Sequence, residues 1–361
     1  MAFPKYQFHV NIGVLMEKNY NITMKDLEGS RIEITAEITA DEFAAARPQA
    51  IKHLQEHADL PGFRKGMVPE SILLARIGEG AILEEMAEVA IGRAYPTIVI
   101  SNKLDVIGRP DVKVTKLAIG SPLGFTITTA IFPKFVLPEY KAIAKKIATT
   151  KEEVTVTTDE VQKTIDELKR LRAKSDAQKE GKEYDETLPL PELNDEWVKT
   201  LGAFENVAEF EEKLKENILA EKTRQARDKV RVAIMQELVK ETTMELPEIL
   251  IEQELARMEE EFSADIARMG MELPKYLAQV GKTREDMHKE WRDDAIARAK
   301  TQIIAAKIAE EEKLEPSAED MEREVAALSA RYPNAQKERI EGFVRMILEN
   351  EKVFTFLENQ K

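Results

Sequence analysis

The sequence RIEITAEI, residues 31–38, decides the fold of the first part of the chain. Apolar and polar residues alternate along it, and its apolar face consists of Ile32, Ile34, Ala36 and Ile38. Alternation with a period of two is typical of a strand that buries one face. Thr39 follows, with Glu42 three residues later, which is the pattern of a capping box. We therefore expect a half-buried strand that ends where a helix begins.

The segments around this strand predict a small α+β domain over residues 21–144. Pro48 lies inside the next helical pattern and predicts a kink or a late helix start. A loop bounded by glycine and proline occupies residues 61–69. Two helical stretches and two strand-like runs follow, at residues 70–77, 81–102, 112–117 and 125–132. A three- or four-stranded antiparallel sheet with helices accounts for all of these segments.

Beyond Pro138 nearly every segment has the periodicity of a helix, which predicts an all-α second part. The longest apolar stripe lies in residues 247–269 and consists of Ile251, Leu255, Met258, Phe262, Ile266 and Met269. A second stripe, in residues 284–312, includes Trp291, Ile296, Ile303, Ile304 and Ile308. Because residues 270–282 turn the chain between them, the two helices form an αα-hairpin that could project as an arm.

Four segments result, and together they predict an elongated multidomain protein of two or three domains. They are an extension of unknown role at 1–20, the α+β domain at 21–144, a connecting helix and polar linker at 145–192, and a helical domain with hairpin arms at 193–361. Within the connection, residues 158–172 have a helical stripe. Residues 173–187 are rich in Lys, Glu, Asp and Gly and predict a flexible linker.

Charge and composition exclude several classes of function. The net charge is −14, and residues 145–361 carry 37 basic and 50 acidic side chains whereas residues 1–144 carry 16 and 17. Only the first domain could therefore approach an anionic surface such as RNA. The absence of cysteine excludes disulfides, thiolate metal sites and thiol catalysis. No apolar run approaches the ~20 residues of a membrane span, so we expect no membrane partner.

The apolar run at residues 10–16 is not expected to be a signal peptide. Lys5 is the only cation before it, and Glu17 and Lys18 follow it where small residues would mark a cleavage site. Patterned sequence begins near Asn21. We therefore expect a cytoplasmic protein.

One motif suggests an enzyme. The stretch His53-Leu54-Gln55-Glu56-His57 matches H-x-x-E-H, in which two histidines one helical turn apart bind zinc and the glutamate activates water. No acidic third ligand lies in a comparable helical motif. A polar helix face explains the same residues, so a zinc hydrolase using His53, Glu56 and His57 is kept as an alternative.

Nucleotide and cofactor chemistry has no motif to support it. Gly62 and Gly66 are not followed by the lysine and hydroxyl residue of a P-loop, and no G-x-G-x-x-G follows a strand. Carboxylate pairs such as Glu84 and Glu85 lie on charged helices, where they are usually solvated. We expect no cofactor and no step driven by ATP.

The apolar stripes of the second part allow two interpretations. Residues at helical spacing form a core in one of them. In the other they bind apolar partners, because methionine adapts to many surfaces and a projecting hairpin cannot bury its whole stripe. The candidate client-binding residues are Ile251, Leu255, Met258, Phe262, Ile266, Met269, Trp291 and Ile303.

The loop PGFRKGMVP, residues 61–69, is an unusual connector, because a phenylalanine lies beside two cations between two glycines. The glycines let the backbone expose the tip. Arg64 and Lys65 can pair with phosphates or carboxylates, and Phe63 supplies an apolar anchor. A charged surface turn is the alternative interpretation.

This loop closely resembles the ribosome-docking motif G-F-R-K-G-K-x-P of the bacterial trigger factor family. Residues 27–31 (LEGSR) resemble the opening of that family, and residues 107–110 (IGRP) with 125–126 (FT) resemble its hairpin. Residues 193–197 (LNDEW), followed by 201–202 (LG), resemble the start of its C-terminal chaperone region. The resemblance extends from about residue 22 to near the C-terminus.

The resemblance implies an ATP-independent chaperone that sits on ribosomal protein and rRNA near the exit tunnel and shields apolar segments of nascent chains. The resemblance also implies roles in protein folding, protein transport and cell division. The residues that would dock on the ribosome are Gly62, Phe63, Arg64, Lys65 and Gly66. Met67 stands where the family usually has lysine, which removes one cation and could weaken docking. A homodimer of the free protein is a further partner to test.

The FKBP-type prolyl isomerase domain that normally interrupts this family has no counterpart in the sequence. From a helix that ends near Arg172, the chain passes through about twenty polar residues to Leu193 without aromatic-lined strands. We therefore expect no isomerase activity. A free holdase that does not dock on ribosomes is the alternative, and a holdase of an export compartment is disfavoured by the missing signal and by the loop at 61–69.

Overall fold

The computed structural model of the protein describes residues 20–58, 63–64, 66–149, 154–179, 181, 183, 185 and 189–360. Except for Tyr20, the predicted N-terminal extension lies outside these residues. The chain divides into two compact units. One combines Met1–Leu137 with Thr242–Glu349, and the other combines Pro138–Glu241 with Asn350–Lys361.

The first unit contains an antiparallel sheet with the strand order β1-β2-β4-β3. Its strands are β1 (Asn21–Leu27), β2 (Arg31–Ile38), β3 (Val106–Lys116) and β4 (Leu123–Ile131). The prediction of a strand at residues 31–38 is confirmed, and its apolar face is buried. The prediction that the third strand begins at Val112 is wrong. It begins at Val106, because an irregular register between Ile107 and Asp111 interrupts the alternation.

Three helices of the first unit pack on the apolar face of this sheet, namely α1 (Ala40–Ala44), α2 (Arg47–His57) and α3 (Glu70–Ser101). The Thr39 hydroxyl caps α1 by accepting a hydrogen bond from the Glu42 N–H. Pro48 lies in the first turn of α2, which confirms the late helix start. Gly78 interrupts α3 with a φ of 81°, so the two predicted helical stretches form one bent element.

The remaining helices of the first unit include the predicted αα-hairpin, in which α8 (Glu248–Arg268) packs against α10 (Arg284–Glu311). The connection between them, predicted as a turn, contains the helix α9 (Leu273–Val280) because Leu273 and Leu277 bury themselves against Met287. The chain continues through α11 (Ala318–Arg331) and α12 (Lys337–Glu358), whose last residues belong to the second unit.

Contacts with the sheet explain why α8 belongs to the same unit. In the β1–β2 turn, the Gly29 N–H donates to the Glu245 carboxylate at 3.0 Å, and the Ser30 hydroxyl donates to the Glu245 carbonyl at 2.7 Å. Gly108 of β3 lies against the Ile249 side chain. The sheet and the start of α8 are therefore joined by both polar and apolar contacts.

The second unit is helical and contains α4 (Tyr140–Ala148), α5 (Thr158–Lys179), α6 (Asp195–Leu201) and α7 (Val207–Glu241). Ile165, Val198 and Phe210 form a shared core. The prediction of a flexible linker from residue 173 is wrong for its first part, because α5 continues to Lys179. Asp176 supports the added turns through ion pairs within α5, to Arg172 at 3.3 Å and Lys179 at 3.7 Å.

No helix in the part of the chain that the structure describes combines the length and the apolar character needed to cross a bilayer.

Candidate functional site

The loop at residues 61–69 connects α2 to α3, and its second half is tied to α2. The Gly66 N–H donates to the Gln55 carbonyl at 2.9 Å, and the Gln55 side-chain amide donates to the Val68 carbonyl at 2.7 Å. Gly66 has a φ of 81°, a conformation that glycine adopts without strain. Gly62 and Lys65, also predicted to dock, lie outside the described residues. The described part of the loop therefore has a fixed path.

The same loop presents apolar and cationic side chains to solvent. Phe63 is 41% exposed and Met67 is 72% exposed, while Val68 is buried and anchors the loop. Arg64 is exposed, and its guanidinium has no carboxylate within ion-pair distance among the described residues. An apolar anchor beside an unpaired guanidinium suits a partner that carries both apolar surface and anionic groups.

The loop and the first turns of α3 together present a set of exposed apolar side chains. We call it the tip surface, and it consists of Phe63, Met67, Ile72, Leu74 and Ile77, all at least 37% exposed. The exposure of Ile72, Leu74 and Ile77 was not predicted from the sequence. Three consecutive apolar residues, from Ile72 to Leu74, could have indicated it. Consecutive residues point in different directions around a helix, so a single covered face buries only Leu73. Several exposed apolar side chains in one short segment make that segment a candidate binding surface.

Arg47 holds the two halves of α3 at a defined angle. Its Nε donates to Glu70 at 3.1 Å, and its terminal nitrogens donate to both oxygens of Glu79. Glu70 and Glu79 lie on opposite sides of the break at Gly78. The hydrogen bonds from Arg47 hold the pKa of the Glu79 carboxyl below its usual value. This clamp orients the α3 part of the tip surface relative to α2.

The candidate zinc motif on α2 has a different environment from a metal site. The His53 Nδ1 lies 3.1 Å from the Glu85 carboxylate of α3, and its Nε2 lies 3.4 Å from the Gln49 amide. Glu56 and His57 are exposed. Among the described residues, no three side chains of the types that bind metals come together. The geometry gives His53 a packing contact between α2 and α3.

The candidate client-binding residues of α8 and α10 lie mostly inside the hairpin. Five of them are buried, namely Ile251, Leu255, Met258, Ile266 and Ile303. Phe262 and Trp291 are partly buried and pack edge to face with ring centroids 5.4 Å apart. Met269, just after the end of α8, is 77% exposed. Of these eight residues, Met269 alone offers most of its side chain to a partner.

A further set of apolar side chains, none of them among the predicted client-binding residues, lies on α11 and α12. We call it the α11–α12 surface, and it consists of Met321, Val325, Leu328, Tyr332, Phe343 and Ile347. No residue of α11 is buried, although its apolar side chains are spaced as on one helix face. Tyr332 is 52% exposed, Phe343 38% and Ile347 45%. Tyr332, Phe343 and Ile347 are therefore available to an apolar partner, whereas Met321, Val325 and Leu328 are partly buried.

Comparisons with known proteins give the family to which this arrangement is similar. A family model of the bacterial trigger factor protein matches residues 20–168, and a model of the trigger factor C-terminus matches residues 206–361. The trigger factor of Agathobacter rectalis is 23% identical over 86% of this chain and 88% of its own length. The trigger factor of Bacillus subtilis is 23% identical over 84% of this chain and 90% of its own.

A solved structure supports the same fold. It comes from work on promiscuous substrate recognition in the folding and assembly activities of the trigger factor chaperone. The two structures superpose with a TM-score of 0.54 at 16% sequence identity, over 94% of this chain and 100% of the other.

Proposed function

Since this chain belongs to the bacterial trigger factor family, we propose that it is an ATP-independent chaperone that docks on the ribosome near the exit tunnel and shields apolar segments of nascent chains. The observation that carries the proposal is the loop after α2, whose second half is held by Gln55 and which exposes Phe63 beside an Arg64 that has no ion-pair partner among the described residues. A chain with a net charge of −14 needs such a local cationic site to approach rRNA. The cytoplasm, where ribosomes are, is the proposed location.

The docking residues proposed are Gly62, Phe63, Arg64, Lys65 and Gly66. The two cations would bind rRNA phosphates or carboxylates of a ribosomal protein, and Phe63 would bury its ring in an apolar depression. The bonds from Gln55 to the second half of the loop support this role, because a segment that is already held in place loses less entropy on binding. The domain at residues 21–144 would then be the tether.

The client surface proposed is the α11–α12 surface together with Met269. Its exposed side chains can bury apolar segments of a client, and burial of apolar area requires no nucleotide. Weak and repeated binding suits partly exposed, adaptable side chains. The other candidates on α8 and α10 are buried or partly buried, so their role would be in the core of the first unit.

We also propose that the protein has no prolyl isomerase activity. The two family matches leave only residues 169–205 between them, and part of that stretch is the end of α5 and all of α6. A segment this short lies below the ~50 residues of the smallest ordinary domains. A protease-coupled assay of a proline-containing peptide would refute the proposal if the rate rose in proportion to protein concentration.

Co-sedimentation with bacterial ribosomes across a salt series tests the tether. We expect the wild-type chain to pellet with ribosomes and the triple variant Phe63→Ala, Arg64→Ala, Lys65→Ala to stay in the supernatant. The matched control Ile119→Ala, Lys113→Ala, Lys116→Ala also removes one exposed apolar residue and two cations from the same domain. Equal loss of binding in both variants would show that net charge, not this loop, governs docking.

Suppression of aggregation by a chemically unfolded client tests the second part of the proposal without ribosomes. We expect the docking variant to suppress aggregation as the wild type does. The variant Phe343→Ser, Ile347→Ser should suppress it less while still pelleting with ribosomes. If the wild type suppresses aggregation but does not pellet even at low salt, the protein is a free holdase.

A further inference from the structure

β3 forms one edge of the sheet, and its second half is uncovered among the described residues. Its first half is partly covered, since Gly108 lies against Ile249 of α8. From Asp111 to Lys116 every residue is exposed. On an edge strand, alternate residues direct unpaired N–H and C=O groups away from the sheet. This open half can therefore form main-chain hydrogen bonds with another strand.

Two apolar rows cross the sheet and end at this edge. In one of them, Ile34 of β2 lies opposite Ile127 of β4, which lies opposite Val112 of β3. Ile34 and Ile127 are fully buried, but Val112 is 40% exposed. The neighbouring row ends in the same way at Val114, which is 44% exposed. Both valines are on the helix-covered face of the sheet, yet the described helices leave them half uncovered.

A groove of about 800 Å³ lies beside these valines, between β3 and α3. Its lining includes Ile91 and Tyr95 of the helix and Val112 and Val114 of the strand. Its rim on α3 carries two carboxylates one helical turn apart, Glu84 and Glu88. Both are exposed, and neither has an ion-pair partner in the part of the chain that the structure describes. The groove thus combines an apolar floor, an acidic rim on α3, one cation at Lys116 of β3 and an open strand edge.

We propose that this groove binds an extended segment of an unfolded polypeptide, which pairs with β3 as a fifth strand. Apolar side chains at alternate positions of the segment would lie next to Val112 and Val114 and continue the two rows. A lysine or arginine beside them would reach the carboxylates of Glu84 and Glu88. The opposite face of the segment would be polar, like that of Asp111, Lys113 and Thr115 on β3.

Strand addition suits a chaperone because its main-chain hydrogen bonds do not depend on the client sequence, while the side-chain positions select alternating apolar residues. The site rests on the proposed function and adds to it a client site on the N-terminal sheet, separate from the α11–α12 surface. Its preferred clients would be segments that form strands and carry basic residues.

The charges favour a basic client segment over a second copy of this chain. Arg109, Lys113 and Lys116 outnumber Asp111 on β3, so two copies paired edge to edge would bring like charges together. A client segment can instead keep the face beside Lys113 uncharged and place its lysine or arginine on the groove side, next to Glu84 and Glu88, whereas Lys113 of a second copy would lie on the face away from the groove. The groove is therefore better matched to such a segment than to another β3.

Fluorescence anisotropy of the full chain with a labelled peptide tests the inference. The peptide has about nine residues, within the usual length of a strand, with valine alternating with threonine and a lysine at each end. A second peptide carries glutamate in place of lysine. We expect the lysine peptide to bind more tightly than the glutamate peptide, and the variant Glu84→Lys, Glu88→Lys to reverse that order.

Two further changes separate strand addition from adhesion to any apolar surface. The variant Val112→Lys, Val114→Lys should weaken binding of the lysine peptide by at least about tenfold, because it places charge on the floor of the site. The matched control Val136→Lys changes a valine that is 87% exposed outside the groove and should bind as the wild type does. Methylation of alternate peptide nitrogens should abolish binding in one register and spare it in the other, because only alternate N–H groups face β3.

Several results would overturn the inference. One is that Val112→Lys, Val114→Lys binds the lysine peptide as tightly as Val136→Lys does. Another is that methylation weakens binding equally in both registers. A third is a dimer, detected by light scattering, that dissociates in Val112→Lys, Val114→Lys. Binding that appears only after removal of residues 1–19 would show that the chain's own N-terminal segment occupies the groove. Suppression of aggregation is measured in parallel. If it persists without peptide binding, this site fails while the proposed function stands.

Discussion

The side-chain amide of Gln55 donates a 2.7 Å hydrogen bond to the carbonyl oxygen of Val68 and thereby links α2 to the far end of the loop that exposes Phe63. The Gln55 carbonyl also accepts a bond from the Gly66 N–H, so one residue bonds to the loop on both sides of Met67. The second half of the loop is thus held in place in the free protein.

We expect Gln55→Ala to lower ribosome affinity by up to about tenfold, because one intramolecular hydrogen bond contributes roughly 1 kcal/mol. Removal of this hydrogen bond lowers the affinity because binding must then supply the free energy that orders the second half of the loop. Co-sedimentation titrations measure it, with circular dichroism to show that the fold is kept. Gln225→Ala removes a comparable side-chain bond, to Glu221 at 2.9 Å in the second unit, and should have no effect. Wild-type affinity in Gln55→Ala would show that the bond does not matter for docking.

Replacing Met67 by lysine should strengthen ribosome binding at low salt. Met67 is 72% exposed, so the substitution costs little folding stability. One added phosphate contact should steepen the slope of log affinity against log salt by about 0.7 to 0.9. The salt series of the co-sedimentation assay measures this slope, and Val136→Lys is the control for a cation placed elsewhere on the surface. An unchanged slope would mean that residue 67 does not face phosphate.

The sequence predicts those elements whose pattern comes from a single buried face. The strand at Arg31–Ile38 alternates because only one of its faces is covered, and the stripe of α8 is regular from Ile251 to Met258 because α10 packs against it there. The early start of β3 could not be predicted because its irregular register interrupts the alternation. The helix α9 could not be predicted because it is short and is stabilised by the burial of Leu273 and Leu277 in the tertiary structure. These features depend on contacts that a local pattern does not contain.

The candidate site is predictable to a similar extent. Phe63 and Arg64 stand out by composition, since an aromatic residue between cations and glycines is unusual in a turn. Ile72 on α3 and Phe343 on α12 are exposed because no other described element packs against that side of the helix. Periodicity marks a helix face as apolar, but it does not tell whether that face is covered.

Gly108→Ala should destabilise the first unit more than Gly120→Ala. Both glycines have positive φ angles, 73° and 71°, so alanine costs roughly 1 kcal/mol of backbone strain at either position. At Gly108 the added Cβ would lie 2.2 Å from the Ile249 Cδ1, whereas nothing lies within 4 Å at Gly120. Overpacking should therefore add about 1–3 kcal/mol at Gly108. Urea unfolding measures the difference.

A double-substitution cycle assigns that difference to the contact. In Gly108→Ala, Ile249→Ala the clash is removed, so the combined loss should be smaller than the sum of the two single losses. Strict additivity would mean that the Ile249 side chain moves away from the added methyl group without cost.

Truncation of Ile266 and of Met269 should lower the free energy of unfolding by different amounts, although both residues belong to the same apolar stripe. Ile266 is 3% exposed, and Ile266→Ala should lower the free energy of unfolding by about 2–5 kcal/mol because it leaves a cavity. Met269 is 77% exposed, and Met269→Ala should change it by less than about 0.5 kcal/mol. Urea unfolding separates the two, and equal losses would contradict the burial of this stripe.

Glu160 should make the stability of the second unit depend on pH. The ammonium of Lys222 donates to its carboxylate at 2.7 Å, and the Thr157 N–H donates at 2.9 Å. These bonds, with that from Lys222 the larger cause, lower the pKa of Glu160 from 4.5 to about 2. Because the pKa is lower in the folded state, the ionised carboxylate stabilises the fold above about pH 4.5. That stabilisation is lost as the pH falls toward 2.

We therefore expect Glu160→Gln to melt at a lower temperature than the wild type at pH 7, and the difference between the two to shrink as the pH falls from 4.5 toward 2. Thermal unfolding followed by circular dichroism at several pH values measures that difference, so acid effects common to both chains cancel. Glu167→Gln, an exposed carboxylate on the same helix, should match the wild type throughout. A difference that stays constant down to pH 2 would show that Glu160 acts through packing rather than through its charge.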